Sequence, residues 1–386
     1  MEIEIGIGKT GRRAYGLDDI AIVPSRRTRD PVDIDTTLEL GPYALSMPFL
    51  ASAMDGVVDP AMAIAIGRLG GLGVLNLEGL QTRYHDPEAV LEEIAALPRE
   101  EATRGIQRIY REPIKPELIG KRVSQIKDSG VVTAASLTPQ RVDEYHGYAL
   151  EAGLDILVIQ GTVVSAEHKS STREPLDLYR FISSMDIPVI VGGCASYHSA
   201  LHLMRTGAVA VLIGVGPGHA CTTRGVLGIG VPQATALADA SAARGRVLQE
   251  TGRYVCVIAD GGIRTGGDIA KCVACGADAA MLGAPIARAS EAPGRGYHWG
   301  MATFHPELPR GTRVKVGSIG SIKEILHGPA HENDGTLNLL GALRMSMATC
   351  GYSSIQEFQR AEVMIAPALQ TEGKSIQRSQ EVGMAG

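Results

Sequence analysis

The chain has 386 residues, of which 45% are hydrophobic and 20% charged, and its formal net charge is -5. Length and composition predict a globular protein with a large core, and the lack of a basic excess argues against binding to nucleic acid or anionic lipid. No apolar stretch is long enough to cross a bilayer and no signal-peptide pattern opens the chain, so we expect a cytoplasmic protein acting on a small molecule, with no nucleic acid or membrane as partner.

Eight short apolar runs, each closed by Gly or Ser and usually followed by an amphipathic stretch, recur along the chain. They cover residues 48–54, 71–76, 131–137, 156–162, 187–193, 210–216, 255–262 and 279–285. Continuous apolar runs are typical of parallel strands buried on both faces, and eight strand–helix units predict an α/β fold, the (β/α)₈ barrel. In that fold the loops after the strands build the site.

The remaining segments predict a single catalytic domain over residues 1–369. Residues 81–130 indicate helices and loops between the second and third strands. After the eighth strand, residues 298–313 indicate a short active-site loop, and helical patterns at 337–349 and 353–358 predict a C-terminal extension. We expect the polar residues 370–386 to form a mobile tail, and the six scattered cysteines to be reduced thiols.

The segment GVGPGHACTTR, residues 214–224, follows the sixth predicted strand. Its glycines let the backbone approach a phosphate or a cation closely, and Cys221 stands where a barrel does chemistry. From position alone Cys221 is a nucleophile or a small buried hydrophobe. For Cys272 and Cys275, helix packing is favoured over a redox or metal site, and we expect Cys194 to line the site.

The next two loops, residues 259–268 and 282–285, stand where barrels often bind phosphate through backbone N–H groups. Asp260 is suited to accept hydrogen bonds from a ribose diol, or else it caps a helix. His219 and His298 are either phosphate partners or solvated loop histidines.

Motifs spread over nearly the whole chain resemble the IMP dehydrogenase and GMP reductase family. They are GLDDIAIVPS (16–25), ASAMDGV (51–57), GGLGVLN (70–76), GPGHACTTR (216–224), GIGVPQATA (228–236), VIADGGIRTGGDIAK (257–271) and HWGMAT (298–303). The resemblance implies that Cys221 is the thiolate that adds to carbon 2 of the purine and that Thr223 handles protons beside it.

The same resemblance implies a set of ligand contacts. Nucleotide binding is expected from Ser52, Met54, Gly218, His219, Asp260, Gly262, Gly283, Ala284, His298, Gly300, Met301 and Ala302. It also implies nicotinamide-nucleotide contacts at Gln160, Gly161, Thr162 and Gly214, and a potassium site on the carbonyls of Gly216, Gly218 and Cys221. NAD and K⁺ are therefore the expected cofactors.

Four departures from the family pattern bear on regulation, mechanism and ligand binding. The regulatory CBS (Bateman) modules that many members insert after the second strand are missing, and so is the Arg-Tyr pair that activates water. Thr223 with Glu307 or Arg310 is the candidate replacement. Gln160 stands in place of an aspartate, and His219 in place of a phosphate-binding serine.

The wording of the motifs favours an NAD-dependent IMP dehydrogenase of guanine nucleotide (GMP) biosynthesis, converting IMP to XMP in a homotetramer or octamer. GMP reductase, which converts GMP to IMP with NADPH, is the alternative enzyme. A nucleotide-binding regulatory paralogue without turnover is the third hypothesis.

Overall fold

A closed barrel of eight parallel strands forms the centre of the protein. The computed structural model describes residues 2–171, 174–300, 313–367, 374–380 and 383. The barrel strands are β1 (Phe49–Ala51), β2 (Leu72–Asn76), β3 (Ala134–Leu137), β4 (Ile156–Gln160), β5 (Val189–Cys194), β6 (Ala210–Ile213), β7 (Cys256–Asp260) and β8 (Ala279–Leu282). Each pairs with the next, and β8 closes on β1. The predicted (β/α)₈ fold is confirmed.

Helices cover the outside of the barrel. They are α1 (Pro60–Arg68), α2 (Pro116–Lys127), α3 (Val142–Glu151), α4 (Leu178–Ser183), α5 (Tyr197–Arg205), α6 (Gln233–Thr251), α7 (Gly266–Ala274) and α8 (Leu339–Thr349). After α3, α5 and α7 the chain turns at Gly153, Gly207 and Gly276, all with positive φ, as expected of glycines that end helices. No helix in the described ranges is long and apolar enough to cross a membrane.

Two hydrophobic layers hold the barrel. The larger packs the outward faces of the strands against the helices, and the smaller fills the interior with side chains such as Leu50, Val158 and Ile258. A hairpin of Leu38–Leu40 and Tyr43–Leu45 packs into the interior layer. The interior is therefore a packed core rather than a pore.

The segment between β2 and β3, here called the β2–β3 insert (residues 80–110), contains three short helices. They are Leu80–Arg83, Pro87–Ala96 and Ala102–Ile109, in agreement with the helices and loops predicted there. Their apolar side chains form a third, separate core around Trp299. The insert thus packs against the chain that follows β8.

The remaining elements flank the barrel. They are an exposed hairpin (Glu2–Gly6 with Lys9–Arg12), 3₁₀ helices at Leu17–Asp19 and Pro31–Asp33, strand Ile20–Ile22 paired with Val363–Ile365, helix Thr223–Leu227, helix Ala284–Ala287, strand Tyr297–His298 paired with Val314–Lys315, and helices Ile322–His327, Ile355–Phe358 and Lys374–Ser379.

Candidate active site

An open cavity lies at the carboxyl-terminal end of the barrel, lined by the loops that follow the strands. Apart from Cys194, all predicted site residues that the structure describes line it. They are Ser52, Met54, Gln160, Gly161, Thr162, Gly214, Gly216, Gly218, His219, Cys221, Thr223, Asp260, Gly262, Gly283, Ala284, His298 and Gly300. The predicted residues Met301, Ala302, Glu307 and Arg310 lie outside the described residues.

Cys221 is exposed at the cavity, in the loop after β6. Its Sγ donates a hydrogen bond of 3.1 Å to Oγ1 of Thr223, whose side chain is buried at the start of the helix Thr223–Leu227. Of the two readings of Cys221, the buried hydrophobe is wrong. An exposed thiol beside a hydroxyl can act as a nucleophile once it loses its proton.

The other cysteines have structural positions. Cys194, expected to line the site, does not line the cavity; it is buried in the core between strands and helices, because the register of β5 against β6 shifts between Gly192 and Cys194. Burial raises the pKa of the Cys194 thiol to about 12. Cys272 is buried in α7, and burial raises the pKa of Cys275 to about 11, which agrees with helix packing.

The loop after β6 lies directly against β7. A Cβ added to Gly214 would stand 1.9 Å from the carbonyl oxygen of Asp260, so only glycine fits there. Within the same loop the N–H of Cys221 donates a 3.0 Å hydrogen bond to the carbonyl of Gly218. Close packing of the two loops holds the thiol and the Asp260 carboxylate on the wall of one cavity.

Asp260, the last residue of β7, interacts across the barrel with Gln160, the last residue of β4. Gln160 Nε2 donates a hydrogen bond of 3.1 Å to Asp260 Oδ2. Burial raises the pKa of Asp260 to about 6, and the bond from Gln160 partly offsets this. The helix-cap reading of Asp260 is wrong, because Thr265 caps α7. Oε1 of Gln160 is buried and has no partner among the described residues.

Two consecutive glycines, Gly261 and Gly262, follow Asp260 and line the cavity, and we call them the glycine edge. Gly261 and Gly262 both have positive φ, of 82° and 77°. Successive N–H groups in such conformations make anion-binding concavities. Gly283 also lines the cavity, and a Cβ added to it would lie 3.4 Å from Met54 Sδ and 3.5 Å from Ser52 Oγ. This end of the cavity is suited to an anion, with Ser52 and Met54 beside it.

Two histidines complete this end, with ring centroids 6.4 Å apart. His298 is 2% exposed, so the solvated-loop reading of this residue is wrong. Neither of its ring nitrogens has a partner within the described part of the chain, and burial together with the nearby His219 lowers its pKa to about 4. His219 is more exposed than His298. Partial desolvation of its ring and the charges of Arg264 and Arg288 lower its pKa. A neutral imidazole with free nitrogens can bind a ligand oxygen.

A buried network behind the site was not foreseen from the sequence. Trp299 Nε1 donates a 2.8 Å hydrogen bond to the hydroxyl of Tyr110, and that hydroxyl donates to the buried carboxylate of Asp55. Desolvation raises the pKa of Asp55 to about 6. The clues available in the sequence were the sole tryptophan, next to His298, and the aspartate in ASAMDGV.

Arg313 makes a second contact with the β2–β3 insert, in addition to that of Trp299 with Tyr110. Its guanidinium donates to the carbonyls of Ile94 and Leu97, at the end of the insert helix Pro87–Ala96, and lies 4.5 Å from the ring centroid of Tyr297. Trp299 and Arg313 therefore anchor the chain to the insert shortly before and immediately after residues 301–312.

Comparisons with known proteins find relatives that agree with one another in family. The model of the IMP dehydrogenase / GMP reductase domain matches residues 14–375. Among curated relatives, uncharacterized oxidoreductases of Mycolicibacterium smegmatis and Mycobacterium tuberculosis are 47% and 48% identical over 372 residues, covering 94% of this chain and 99% of each relative. The IMP dehydrogenase of Methanocaldococcus jannaschii is 27% identical, with 94% of both chains covered.

A solved structure agrees in fold. The IMP dehydrogenase/GMP reductase-like protein from Corynebacterium glutamicum superposes with a TM-score of 0.90 at 43% identity, covering 94% of this chain and 97% of that one.

Proposed function

Since this chain belongs to the IMP dehydrogenase / GMP reductase family, we propose that it oxidises IMP to XMP with NAD as hydride acceptor. The observation that carries the proposal is the exposed thiol of Cys221, hydrogen-bonded to Thr223 and facing the same cavity as Asp260 and the glycine edge. The family and its oxidoreductase chemistry are the premise; the direction and substrate are proposed.

The cavity offers separate contacts to the three parts of a purine mononucleotide, which are the 5′-phosphate, the ribose and the base. The 5′-phosphate lies against Gly262 and Gly283, where backbone N–H groups and His298 supply donors. Asp260 accepts hydrogen bonds from the ribose hydroxyls. Met54, beside Gly283, packs against the nucleoside and leaves the base facing Cys221.

Cys221 and Thr223 perform the chemistry on the base. The Cys221 thiolate forms a bond to carbon 2 of the hypoxanthine, and the hydride at that carbon departs. Water then attacks the same carbon, the C–S bond breaks, and the product is XMP with the thiol restored. Thr223 Oγ1, 3.1 Å from Sγ, relays protons through its neutral hydroxyl, accepting one hydrogen bond while donating another, and the one net proton that the reaction produces leaves to solvent. Glu307 and Arg310 remain its proposed partners in activating the water.

Gln160 fits a nicotinamide nucleotide. Its buried, unpartnered Oε1 needs a hydrogen-bond donor, and both the carboxamide and the ribose hydroxyls of such a nucleotide carry one. With Gly161, Thr162 and Gly214 it would hold the group on the cavity wall. The group supplies the hydride acceptor when bound.

A potassium ion would bind to backbone carbonyls of the loop after β6. Gly216, Gly218 and Cys221 supply these oxygens, of which the Gly218 carbonyl also accepts the Cys221 N–H. No cluster of three His, Cys, Asp or Glu side chains suited to a metal occurs in the described residues. The K⁺ ion would hold the loop that carries the thiol.

We further propose that the protein acts in guanine nucleotide biosynthesis and that it assembles as a homotetramer or octamer.

A spectrophotometric assay separates the candidate functions. The reduced protein in potassium buffer receives IMP with NAD in one cuvette and GMP with NADPH in another. We expect NADH to form in the first. Oxidation of NADPH in the second alone would make the protein a GMP reductase. Stabilisation by IMP without turnover in either cuvette would identify a binding paralogue.

A further inference from the structure

A second cavity adjoins the active-site cavity, and His219 and Ala284 line both. The rest of its lining comes from Arg264, Thr265, Pro285, Arg288, Val314, Lys315, Val316, Asp334 and Thr336. These residues follow β7 and β8 and precede α8. The cavity therefore extends the site at the end where the glycine edge lies.

Two cations of this cavity have no ion-pair partner among the described residues. Arg288 and Lys315 make no side-chain hydrogen bond or ion pair with the described residues, and Nε of Arg288 is buried without a partner. Arg264, in contrast, is shared between Asp268 and Asp18. A buried guanidinium N–H without an acceptor is costly, so Arg288 is suited to an anion that enters from the cavity.

The carboxylate in the lining does not neutralise both cations. Asp334 Oδ1 accepts hydrogen bonds from the N–H and the hydroxyl of Thr336, at 2.9 and 2.7 Å. Arg288 and Lys315 therefore outnumber it. Arg288 lines this cavity together with His219, and partial burial, with the charges of Arg264 and Arg288, lowers the pKa of the imidazole.

We propose that the second cavity binds a further phosphate group attached to the 5′-phosphate of the nucleotide, so that purine nucleoside di- and triphosphates occupy the site and exclude the substrate. Arg288 binds the additional phosphate through its planar N–H groups and Lys315 adds a point charge. This inference rests on the proposed function, because it places the first phosphate at Gly262 and Gly283. According to this inference, nucleotides with more phosphate groups than the substrate inhibit the protein by binding in the active site itself.

The test is calorimetric titration of the full chain at fixed ionic strength, without NAD, using IMP, IDP and inorganic pyrophosphate. We expect IDP to bind about tenfold more tightly than IMP, as one or two charge-assisted contacts allow. The double variant Arg288→Gln, Lys315→Gln should abolish that advantage and leave the affinity for IMP unchanged. The control, Arg104→Gln with Lys121→Gln, removes the same charge from exposed positions on the β2–β3 insert and α2.

Each outcome decides the matter. Equal affinity for IMP and IDP, or an IDP advantage that survives the double variant, overturns the inference while leaving the proposed function intact. If IMP fails to bind, the proposed function is wrong, and the titration with pyrophosphate then tests whether the second cavity binds an anion. Pyrophosphate binding that the double variant loses and the control keeps supports an anion site there; no such binding overturns it.

Discussion

Gln160 and Asp260 meet across the mouth of the barrel, with Gln160 Nε2 3.1 Å from Asp260 Oδ2. The amide orients a carboxylate whose charged form is destabilised by burial, and the pKa of Asp260 rises to about 6 as a result. The folded protein therefore holds an ionised acceptor at neutral pH at the expense of its own stability, as is common for groups positioned to meet a ligand.

We expect Asp260→Asn to stabilise the free protein at pH 7.5 by about 1 to 3 kcal/mol. The folded pKa lies above the unfolded value of 3.8, so the free energy of unfolding decreases as the pH rises from about 4 to about 6, and the amide removes this loss. The same change should weaken IMP binding, since the ribose loses a charged acceptor. Chemical denaturation and calorimetry measure both; Asp186→Asn, at an exposed position, is the control.

Cys221 should be the first thiol that iodoacetamide modifies, because it is exposed whereas Cys194, Cys256, Cys272 and Cys350 are buried. IMP should protect it. Mass spectrometry of digested protein identifies the modified residue. Cys221→Ser should abolish turnover and retain IMP binding, and Cys275→Ser should keep both. Turnover in the Cys221 variant would contradict the assignment of the nucleophile.

Thr223→Val should reduce kcat by about 10²- to 10⁴-fold, the range expected when a proton-transfer group is lost, with little change in IMP affinity. If Thr223 serves the hydrolytic step, the covalent adduct on Cys221 should accumulate during turnover, which intact-protein mass spectrometry detects. Thr222→Val is the matched control, since Thr222 is adjacent and its side chain makes no helix-cap hydrogen bond. An unaltered kcat in the Thr223 variant would remove this residue from the mechanism.

His298 should make the protein less stable in acid. Burial lowers its pKa to about 4, below the unfolded value near 6.5, so its contribution is fully present above pH 6.5 and is lost as the pH falls towards 4. His298→Asn should remove up to about 3 kcal/mol of that pH dependence. Denaturation at pH 7.5 and 4.5 measures it, with exposed His202→Asn as control. Equal pH slopes for wild type and the His298 variant would exclude this role.

Tyr110→Phe should lower the free energy of unfolding by about 1 to 3 kcal/mol, because it leaves the buried Asp55 carboxylate and the Trp299 N–H each without one partner. Since Trp299 lies between His298 and Gly300, kcat should also fall. The control is Tyr148→Phe on α3, where the residue is 44% exposed. A Tyr110 variant as stable as the Tyr148 variant would show that the network contributes little.

The barrel was predictable because both faces of its strands are buried, which leaves eight continuous apolar runs in the sequence. The site was predictable because loops after parallel strands converge, so Cys221, Asp260 and Gly283 had to meet at one end. The short hairpin Leu38–Leu45 was missed, since its few residues carry no such pattern.

Contacts between distant parts of the chain were not predictable. Trp299 and Tyr110 are 189 residues apart, and no local pattern indicates that one binds the other. The burial of Cys194 depends on a register shift in β5 that the apolar run 187–193 does not show. Likewise, no pattern in the sequence indicates that Arg288 and Lys315 line one cavity with His219 and lack a partner among the described residues.

Trp299 and Arg313 both attach to the β2–β3 insert, whose core is separate from the two layers of the barrel. Trp299 also stands between His298 and Gly300, which line the active-site cavity. The packing of the insert therefore sets part of the cavity wall, although the insert contributes no strand to the barrel. Damage to the insert should impair the site while the eight strands stay paired.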